Sequence, residues 1–236
     1  MFSKDALKGQ RILVTGGGSG LGKEMSRHFL KFGSEVVICG RRESVLEDTA
    51  KELSDETGGV ITYFPLDIRD SMAIEASVEE LFNEKPLTGL VNNAAGNFIS
   101  RTKDLSPNGF NAIASIVFHG TFYITNAVGK RWIENKQKGS IISILATWVW
   151  TGSPFVIPSA MSKSGINAMT KSLAVEWGQY GIRLNAIAPG PFPTEGAWSR
   201  LMPQTGDTKK DEKVTSQYMN IPVSYTHLRA HETNVD

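Results

Sequence analysis

A glycine-rich turn near the start, Thr15-Gly16-Gly17-Gly18-Ser19-Gly20-Leu21-Gly22, constrains the fold of this chain more than any other stretch. It follows the apolar run 11–15 and precedes an amphipathic segment at 21–32, so it predicts a strand, a tight turn and a helix in succession. Positions without a side chain let the backbone approach a pyrophosphate, and the free amides at the start of a helix attract its charge. The alternative is a turn chosen for geometry alone. We predict a dinucleotide site formed by Gly16, Gly18, Ser19, Gly20, Leu21 and Gly22.

The rest of the chain alternates short apolar runs with longer helical segments, which is the pattern of a parallel sheet covered on both faces. Strands are predicted at 11–15, 35–39, 60–64, 88–91, 140–145 and 183–187. Helices are predicted at 21–32, 43–56, 71–83, from Ser106-Pro107 to about Glu134, and from Ser159 onward. A length of 236 residues, 40% of them hydrophobic, suits a single domain. We therefore predict one α/β domain with a doubly wound parallel sheet.

The last stretch, 223–236, shows no periodic spacing of apolar residues. Its sequence resembles a translated sequencing adapter. We predict a dinucleotide-binding domain over residues 1–222 and a non-native or disordered tail over 223–236. The native chain is then expected to continue past Pro222, and the sheet to lack its last native strand. An ordinary disordered terminus is the alternative. His227 and His231 stand four apart, but no third ligand accompanies them, so no metal site is predicted.

Charge and cysteine content narrow the class of protein. A formal net charge of +1 gives no reason to expect nucleic acid or an anionic membrane as a partner. The sole cysteine, Cys39, cannot form an internal disulfide, which favours a reducing compartment. The first residues lack the apolar block of a signal peptide, and no run approaches eighteen apolar residues, so no membrane span is predicted. A cytoplasmic enzyme is expected, with an organelle-targeting segment outside this chain as the alternative.

The end of the second strand indicates which dinucleotide is bound. A carboxylate there would bind the ribose hydroxyls of NAD, whereas an arginine suits the additional phosphate of NADP. Arg41 and Arg42 stand at this point, so NADP(H) is predicted, although two arginines that open a helix can be merely solvated. Asp67, after the third strand, is predicted to accept from the adenine amine, and Asn93 to line the adenine ribose. Both can instead be simple turn residues.

Ser159 and Lys163 stand four apart on the long predicted helix and therefore share one of its faces. Taken alone, such a pair is usually an ordinary feature of a helix surface. Opposite a dinucleotide turn, a hydroxyl and an ammonium can serve one site. The apolar residues of the same helix predict its buried face: Met161, Ile166, Met169, Leu173, Val175 and Trp177.

Four ordered motifs, TGGGSGLG, NNAAG, the SxxxK helix and the PGP turn, together resemble the short-chain dehydrogenases/reductases over residues 8 to 222. The resemblance implies a Rossmann-type fold and a nicotinamide cofactor. Three of the four usual catalytic positions differ. Ser159 stands where that superfamily has its tyrosine, Ala146 where it has a serine and Val117 where it has an asparagine, while Lys163 is kept.

This pattern of replacement is similar to that of the 2,4-dienoyl-CoA reductases. The sequences of four segments resemble the same branch: NNAAGNFIS, LSPN, PSAMSK and PGPFPTEGAWSRL. The resemblance implies NADPH-dependent reduction of an unsaturated fatty acyl-CoA to an enoyl-CoA in fatty acid β-oxidation, by a homotetramer. In that branch an asparagine, here Asn97, and a tyrosine hold the thioester oxygen. Trp148 occupies the tyrosine position. By the same resemblance Lys163 binds the nicotinamide ribose and Ser159 steadies it. Further contacts implied are Pro189, Gly190 and Phe192 with the nicotinamide, and Phe98 and Trp198 with the acyl chain.

The chemistry of a dienoyl thioester explains why the tyrosine is dispensable. Hydride can add to the far carbon if the charge that moves to the carbonyl oxygen is stabilised by fixed donors. Asn97 is predicted as one donor. Trp148 can donate through its indole N–H or serve only as an apolar wall. Two rival functions stay open, a ketone or alcohol reductase and a non-catalytic NADP(H)-binding protein.

Overall fold

The computed structural model describes residues 3–190, which form a parallel sheet with helices on both faces. The strands are β1 Arg11–Thr15, β2 Glu35–Gly40, β3 Ile61–Pro65, β4 Gly89–Asn92, β5 Gly139–Ile144 and β6 Ile182–Ile187. They lie in the order β3-β2-β1-β4-β5-β6, and every neighbouring pair is parallel. The predicted α/β doubly wound sheet is therefore confirmed, with each strand within a residue or two of its predicted position.

Seven α-helices connect and cover these strands within the described residues. They are α1 Gly20–Lys31, α2 Glu43–Thr57, α3 Ser71–Glu84, α4 Pro107–Ala114, α5 Gly120–Glu134, α6 Trp148–Thr151 and α7 Ile157–Gly178. Successive side chains of β1 point to opposite faces of the sheet. Leu13 packs with residues of α3 and α5, whereas Val14 packs with residues of α1 and α2. Both faces of the central strand are thus buried, as the apolar run 11–15 requires.

The long helix predicted from Pro107 to Glu134 is interrupted by a π-helical turn, Ser115–His119, between α4 and α5. Its predicted cap is confirmed, because Ser106 Oγ accepts a hydrogen bond of 3.1 Å from the amide of Gly109. Over its whole length the helix could cross a membrane by length and composition alone. However, half of its most apolar window is buried, and Trp132 lies in the core beside the sheet. We therefore interpret it as a helix of the protein core. It was not identified as apolar from the sequence because it contains no uninterrupted run of eighteen apolar residues.

Two further differences from the sequence-based prediction lie near β5. The four-residue helix α6 was not predicted, because a single turn is too short to show a helical period. Helix α7 begins at Ile157 rather than at Ser159, since Pro158 in its first turn is compatible with a helix start. The buried face predicted for α7 is partly wrong, because Met161 is 55% exposed and Val175 85% exposed.

The sheet order reverses at β1, since β2 and β3 lie to one side of it and β4 to the other. In open α/β sheets the crevice at this switch point, outside the carboxyl ends of the strands, is where ligands bind. Thr15 and Asn92 end the two strands that border it. Several predictions lie outside the described residues: Phe192, Trp198, the end of the domain, the tail at 223–236 and any further strand.

Candidate active site

The glycine turn between β1 and α1 has a backbone geometry that favours glycine and leaves no room for side chains at two of its positions. Gly16 and Gly20 have φ values of +66° and +54°, in the left-handed region. A Cβ atom at Gly22 would lie 2.3 Å from the carbonyl oxygen of Gly16, and one at Gly17 would lie 2.5 Å from the Ile38 side chain. The turn therefore holds its backbone close to the sheet, beside the space outside the carboxyl ends of the strands where α/β sheets bind ligands.

The start of α1 offers donors to that space. Ser19 is the N-cap residue, but its side chain makes no capping hydrogen bond, and both Ser19 and Gly20 are exposed. The first amides of a helix have no partner within the helix, so they are available to a phosphate. Gly18 has a structural role, because its carbonyl oxygen accepts a hydrogen bond of 2.8 Å from Thr49 Oγ1. Leu21, the second residue of α1, is half-buried.

Asn93 fastens the glycine turn to the end of β4. Its Nδ2 donates to the carbonyl oxygens of Thr15, at 3.0 Å, and Gly16, at 3.2 Å. In return Thr15 Oγ1 accepts from the amides of Asn93 and Ala94, each at 3.0 Å. Both the backbone nitrogen and the side-chain Nδ2 of Asn93 thus donate to protein atoms. Only its Oδ1 could make the predicted ribose contact. This bracing role was not predicted from the sequence.

The ends of β2 and β3 bring basic and acidic side chains together. Arg41 and Arg42 follow β2, are exposed, and form no ion pair with any residue from 3 to 190. Asp67 follows β3 and is paired with Arg69, whose Nη2 lies 2.5 Å from Asp67 Oδ2. The hydrogen bond from Arg69 lowers the pKa of Asp67, and the charge of Arg41 contributes in the same direction. Arg69 was not singled out from the sequence, where it appears as an ordinary turn residue.

Ser159 and Lys163 are both buried on α7, at 3% and 6% exposure, as expected for a site rather than a helix surface. Lys163 Nζ donates to the carbonyl oxygen of Ile144, the last residue of β5. Burial lowers the pKa of Lys163 to about 8. The Ser159 hydroxyl makes no side-chain hydrogen bond with the part of the chain that the structure describes. It is therefore available to a ligand.

Asn97 and Trp148 each carry a donor nitrogen without a protein partner. Asn97 Nδ2 and Trp148 Nε1 are buried and have no hydrogen-bond acceptor among residues 3–190. Asn97 Oδ1 accepts from the amide of Phe98 at 3.0 Å, which leaves the nitrogen of the side chain as the free group. Buried donors are normally paired, so these two unpaired N–H groups are the candidate donors to a substrate oxygen.

The segments that carry Asn97 and Trp148 pack against the same part of the core. Phe98, next to Asn97, and Val149, next to Trp148, both pack against one small hydrophobic cluster. Its buried members are Ile113, Val117, Leu145 and Ile166. Val117 and Ala146, which replace two of the usual catalytic residues, are buried and apolar, so neither can take part in proton transfer. Pro189 and Gly190 follow β6 at the same edge of the sheet.

A dinucleotide turn and a buried lysine at one edge of a parallel sheet are typical of nicotinamide-dependent oxidoreductases. Residues 10–204 match the family model for short chain dehydrogenases, and the chain belongs to that family. It is therefore an oxidoreductase. A solved short chain dehydrogenase from Bacillus anthracis is 47% identical, with a TM-score of 0.75 over 79% of this chain and 75% of that one.

Two relatives confirm the more specific resemblance to the 2,4-dienoyl-CoA reductases. The Caenorhabditis elegans protein named "Probable 2,4-dienoyl-CoA reductase 3" is 46% identical over 88% of this chain. The Arabidopsis thaliana protein named "Peroxisomal 2,4-dienoyl-CoA reductase" is 39% identical over 89% of this chain and 74% of its own length. The chain spans 68% of the first relative and 64% of a second nematode protein of similar name.

Proposed function

We propose that this protein catalyses the NADPH-dependent reduction of 2,4-dienoyl-CoA thioesters to enoyl-CoA, a reaction of unsaturated fatty acid β-oxidation. The observation that carries the proposal is the pair of buried donors, Asn97 Nδ2 and Trp148 Nε1, without a partner among residues 3–190. Two N–H groups can hold one carbonyl oxygen, which is what this reaction requires. The names of the relatives point to the same substrate class.

The reaction adds a hydride at one end of a conjugated system and negative charge at the other. NADPH, when bound, supplies the hydride to the far carbon of the diene. The two double bonds then shift toward the thioester, and the negative charge reaches its oxygen. Asn97 and Trp148 stabilise that charge through hydrogen bonds that strengthen as it develops. A proton from water then adds to carbon, which leaves one carbon–carbon double bond and completes the two-electron reduction.

Lys163 and Ser159 serve the cofactor side of the site in this proposal. Lys163 binds the nicotinamide ribose, and its positive charge favours the developing enolate. Ser159 directs its hydroxyl to the nicotinamide and steadies the lysine. Neither residue has to act as an acid, because no alcohol oxygen is formed. Pro189 and Gly190 are proposed to contact the nicotinamide amide. Phe98, which lies beside Gly109 and packs against the cluster that includes Ile113, is proposed to contact the acyl chain.

NADP(H) is proposed as the cofactor because positive charge at the adenosine end is in excess. Arg41 and Arg42 have no carboxylate partner in the described chain, while the nearby Asp67 is already neutralised by Arg69. A 2′-phosphate would therefore meet two free guanidinium groups rather than a repelling carboxylate. The glycine turn suits a pyrophosphate, since the start of α1 at Ser19 and Gly20 is exposed and its first amides have no partner within the helix.

The test compares two substrates with the full chain and NADPH. We expect the nicotinamide absorbance to fall with a 2,4-dienoyl-CoA and to stay constant with a simple ketone. A fall only with the ketone would support a ketone or alcohol reductase, for which Ser159 is too weak an acid alone. No fall with either substrate, in a chain that binds NADPH, would support a non-catalytic protein.

The proposal also covers assembly and location. Phe118, Phe122, Met161 and Val175 are at least 40% exposed, and such apolar groups favour packing against other copies. We propose a homotetramer, which light scattering of the purified chain would test. A cytoplasmic location is proposed from the sequence, with the peroxisome suggested by the name of the plant relative as the alternative.

A further inference from the structure

Phe155 has an unusual backbone conformation close to the site. Its φ is +66°, and Lys136 is the other non-glycine residue with a positive φ in the described part of the chain. A Cβ atom disfavours this left-handed region, so such a residue needs support from its surroundings. Phe155 lies between α6, which carries Trp148, and α7, which carries Ser159 and Lys163.

The support includes a hydrogen bond to a different loop. The amide of Ser100 donates to the carbonyl oxygen of Phe155 at 2.9 Å. Ser100 is three residues beyond Asn97 and two beyond Phe98. On the other side, Phe155 is followed by the buried Val156, whose carbonyl oxygen accepts from the amide of Ala160 in the first turn of α7. One strained residue therefore connects the Asn97 loop to the start of the Ser159 helix.

We propose that Phe155 is a positioning residue whose left-handed backbone, held by the Ser100 hydrogen bond, sets the place of Asn97 relative to Trp148 and Ser159. The proposal rests on the proposed function, because it concerns two donors that must meet one thioester oxygen. It assigns the role to the backbone of Phe155 and not to its ring. A normal backbone conformation at 155 would redirect its carbonyl group and release the loop that bears Asn97.

Two substitutions separate the backbone from the ring. Phe155→Gly removes the ring and adopts a positive φ freely, whereas Phe155→Val removes the ring and strongly disfavours a positive φ. We expect Phe155→Gly to keep kcat on a 2,4-dienoyl-CoA within about threefold, and Phe155→Val to lose roughly tenfold to a hundredfold, because small misplacements are costly in catalysis. NADPH affinity should be unchanged in both variants.

Lys136→Val is the matched control for strain as such, since Lys136 has a φ of +53° in an exposed turn between α5 and β5. It should lower the thermal stability without changing kcat. Equal losses in Phe155→Gly and Phe155→Val would assign the effect to the ring and overturn the proposal. Full activity of Phe155→Val would overturn it as well.

Hydrogen exchange of the Ser100 amide gives a readout that does not depend on turnover. We expect protection in the wild type and in Phe155→Gly, and its loss in Phe155→Val. Protection that survives in Phe155→Val would contradict the proposal. A wild type without dienoyl-CoA turnover would overturn the proposed function, and the exchange rates would still decide whether the backbone of Phe155 holds the loop.

Discussion

Asn93 Nδ2 lies 3.0 Å from the carbonyl oxygen of Thr15, so the first residue after β4 is bonded to the last residue of β1. The same nitrogen lies 3.2 Å from the carbonyl oxygen of Gly16. These two strands border the switch point of the sheet, where a dinucleotide is expected to bind. The hydrogen bonds of the Asn93 side chain therefore hold the shape of the glycine turn.

Asn93→Ala should weaken NADPH binding by about tenfold, because the turn loses two hydrogen bonds of roughly 1 kcal/mol each and no longer keeps its shape. Fluorescence titration with NADPH measures the change. Asn126→Ala, at an exposed position on α5, is the control and should bind normally. Unaltered NADPH affinity in Asn93→Ala would show that the turn holds its shape without this side chain.

Arg41→Asp should shift the preference from NADPH toward NADH. We expect the affinity for NADPH to fall about tenfold to a hundredfold, since a charge-assisted hydrogen bond of about 1.5–3 kcal/mol is replaced by repulsion. Lys51→Asp makes the same change of net charge on the exposed side of α2 and should leave the preference unaltered. Equal NADPH affinity in Arg41→Asp and in the wild type would remove Arg41 from the phosphate site.

Trp148→Phe should lower kcat on dienoyl-CoA by about 10²–10³, because it removes one donor to the developing oxyanion and keeps an aromatic wall. Trp148→Tyr restores a donor and should recover or exceed the wild-type rate. Trp150→Phe, at a residue that is 54% exposed, is the control and should be nearly neutral. A fully active Trp148→Phe would show that Trp148 is only a wall of the acyl pocket.

The activity should fall as the pH rises above about 8. Burial lowers the pKa of Lys163 to about 8, so its ammonium loses the proton, and with it the charge, in this range. The profile of kcat/KM reports groups of the free enzyme. Lys163→Arg keeps its charge at every accessible pH and should lack this fall, whatever its absolute rate. An identical alkaline limb in both proteins would assign the titration to another group.

The fold could be predicted because its signals are local. Each strand is a short apolar run between polar segments. The glycine turn at 16–22 marks the predicted dinucleotide site at the end of the first strand. The exposure of Met161 and Val175 was not predicted. An apolar period identifies a helix but does not say which of its apolar residues face the core of the same chain.

The site could be predicted less completely. The spacing of Ser159 and Lys163 predicted a shared helix face, and the structure adds that both are buried. The unpaired donors of Asn97 and Trp148 lie at positions named from the resemblance. The bracing by Asn93, the Asp67–Arg69 pair and the left-handed Phe155 were missed. The Asn93 hydrogen bonds join two segments and the Phe155 conformation is a backbone angle, so neither leaves a pattern in a single sequence. Asp67 and Arg69 are only two residues apart, but that spacing alone does not show that their side chains meet.

The most direct measurement is a crystal structure of the full chain with NADP⁺ and an unsaturated acyl-CoA. We expect the thioester oxygen to lie about 2.7–3.1 Å from both Asn97 Nδ2 and Trp148 Nε1, the distances of a working oxyanion site. A thioester oxygen that contacts neither nitrogen, with the acyl chain beside the nicotinamide, would contradict charge stabilisation by these two donors.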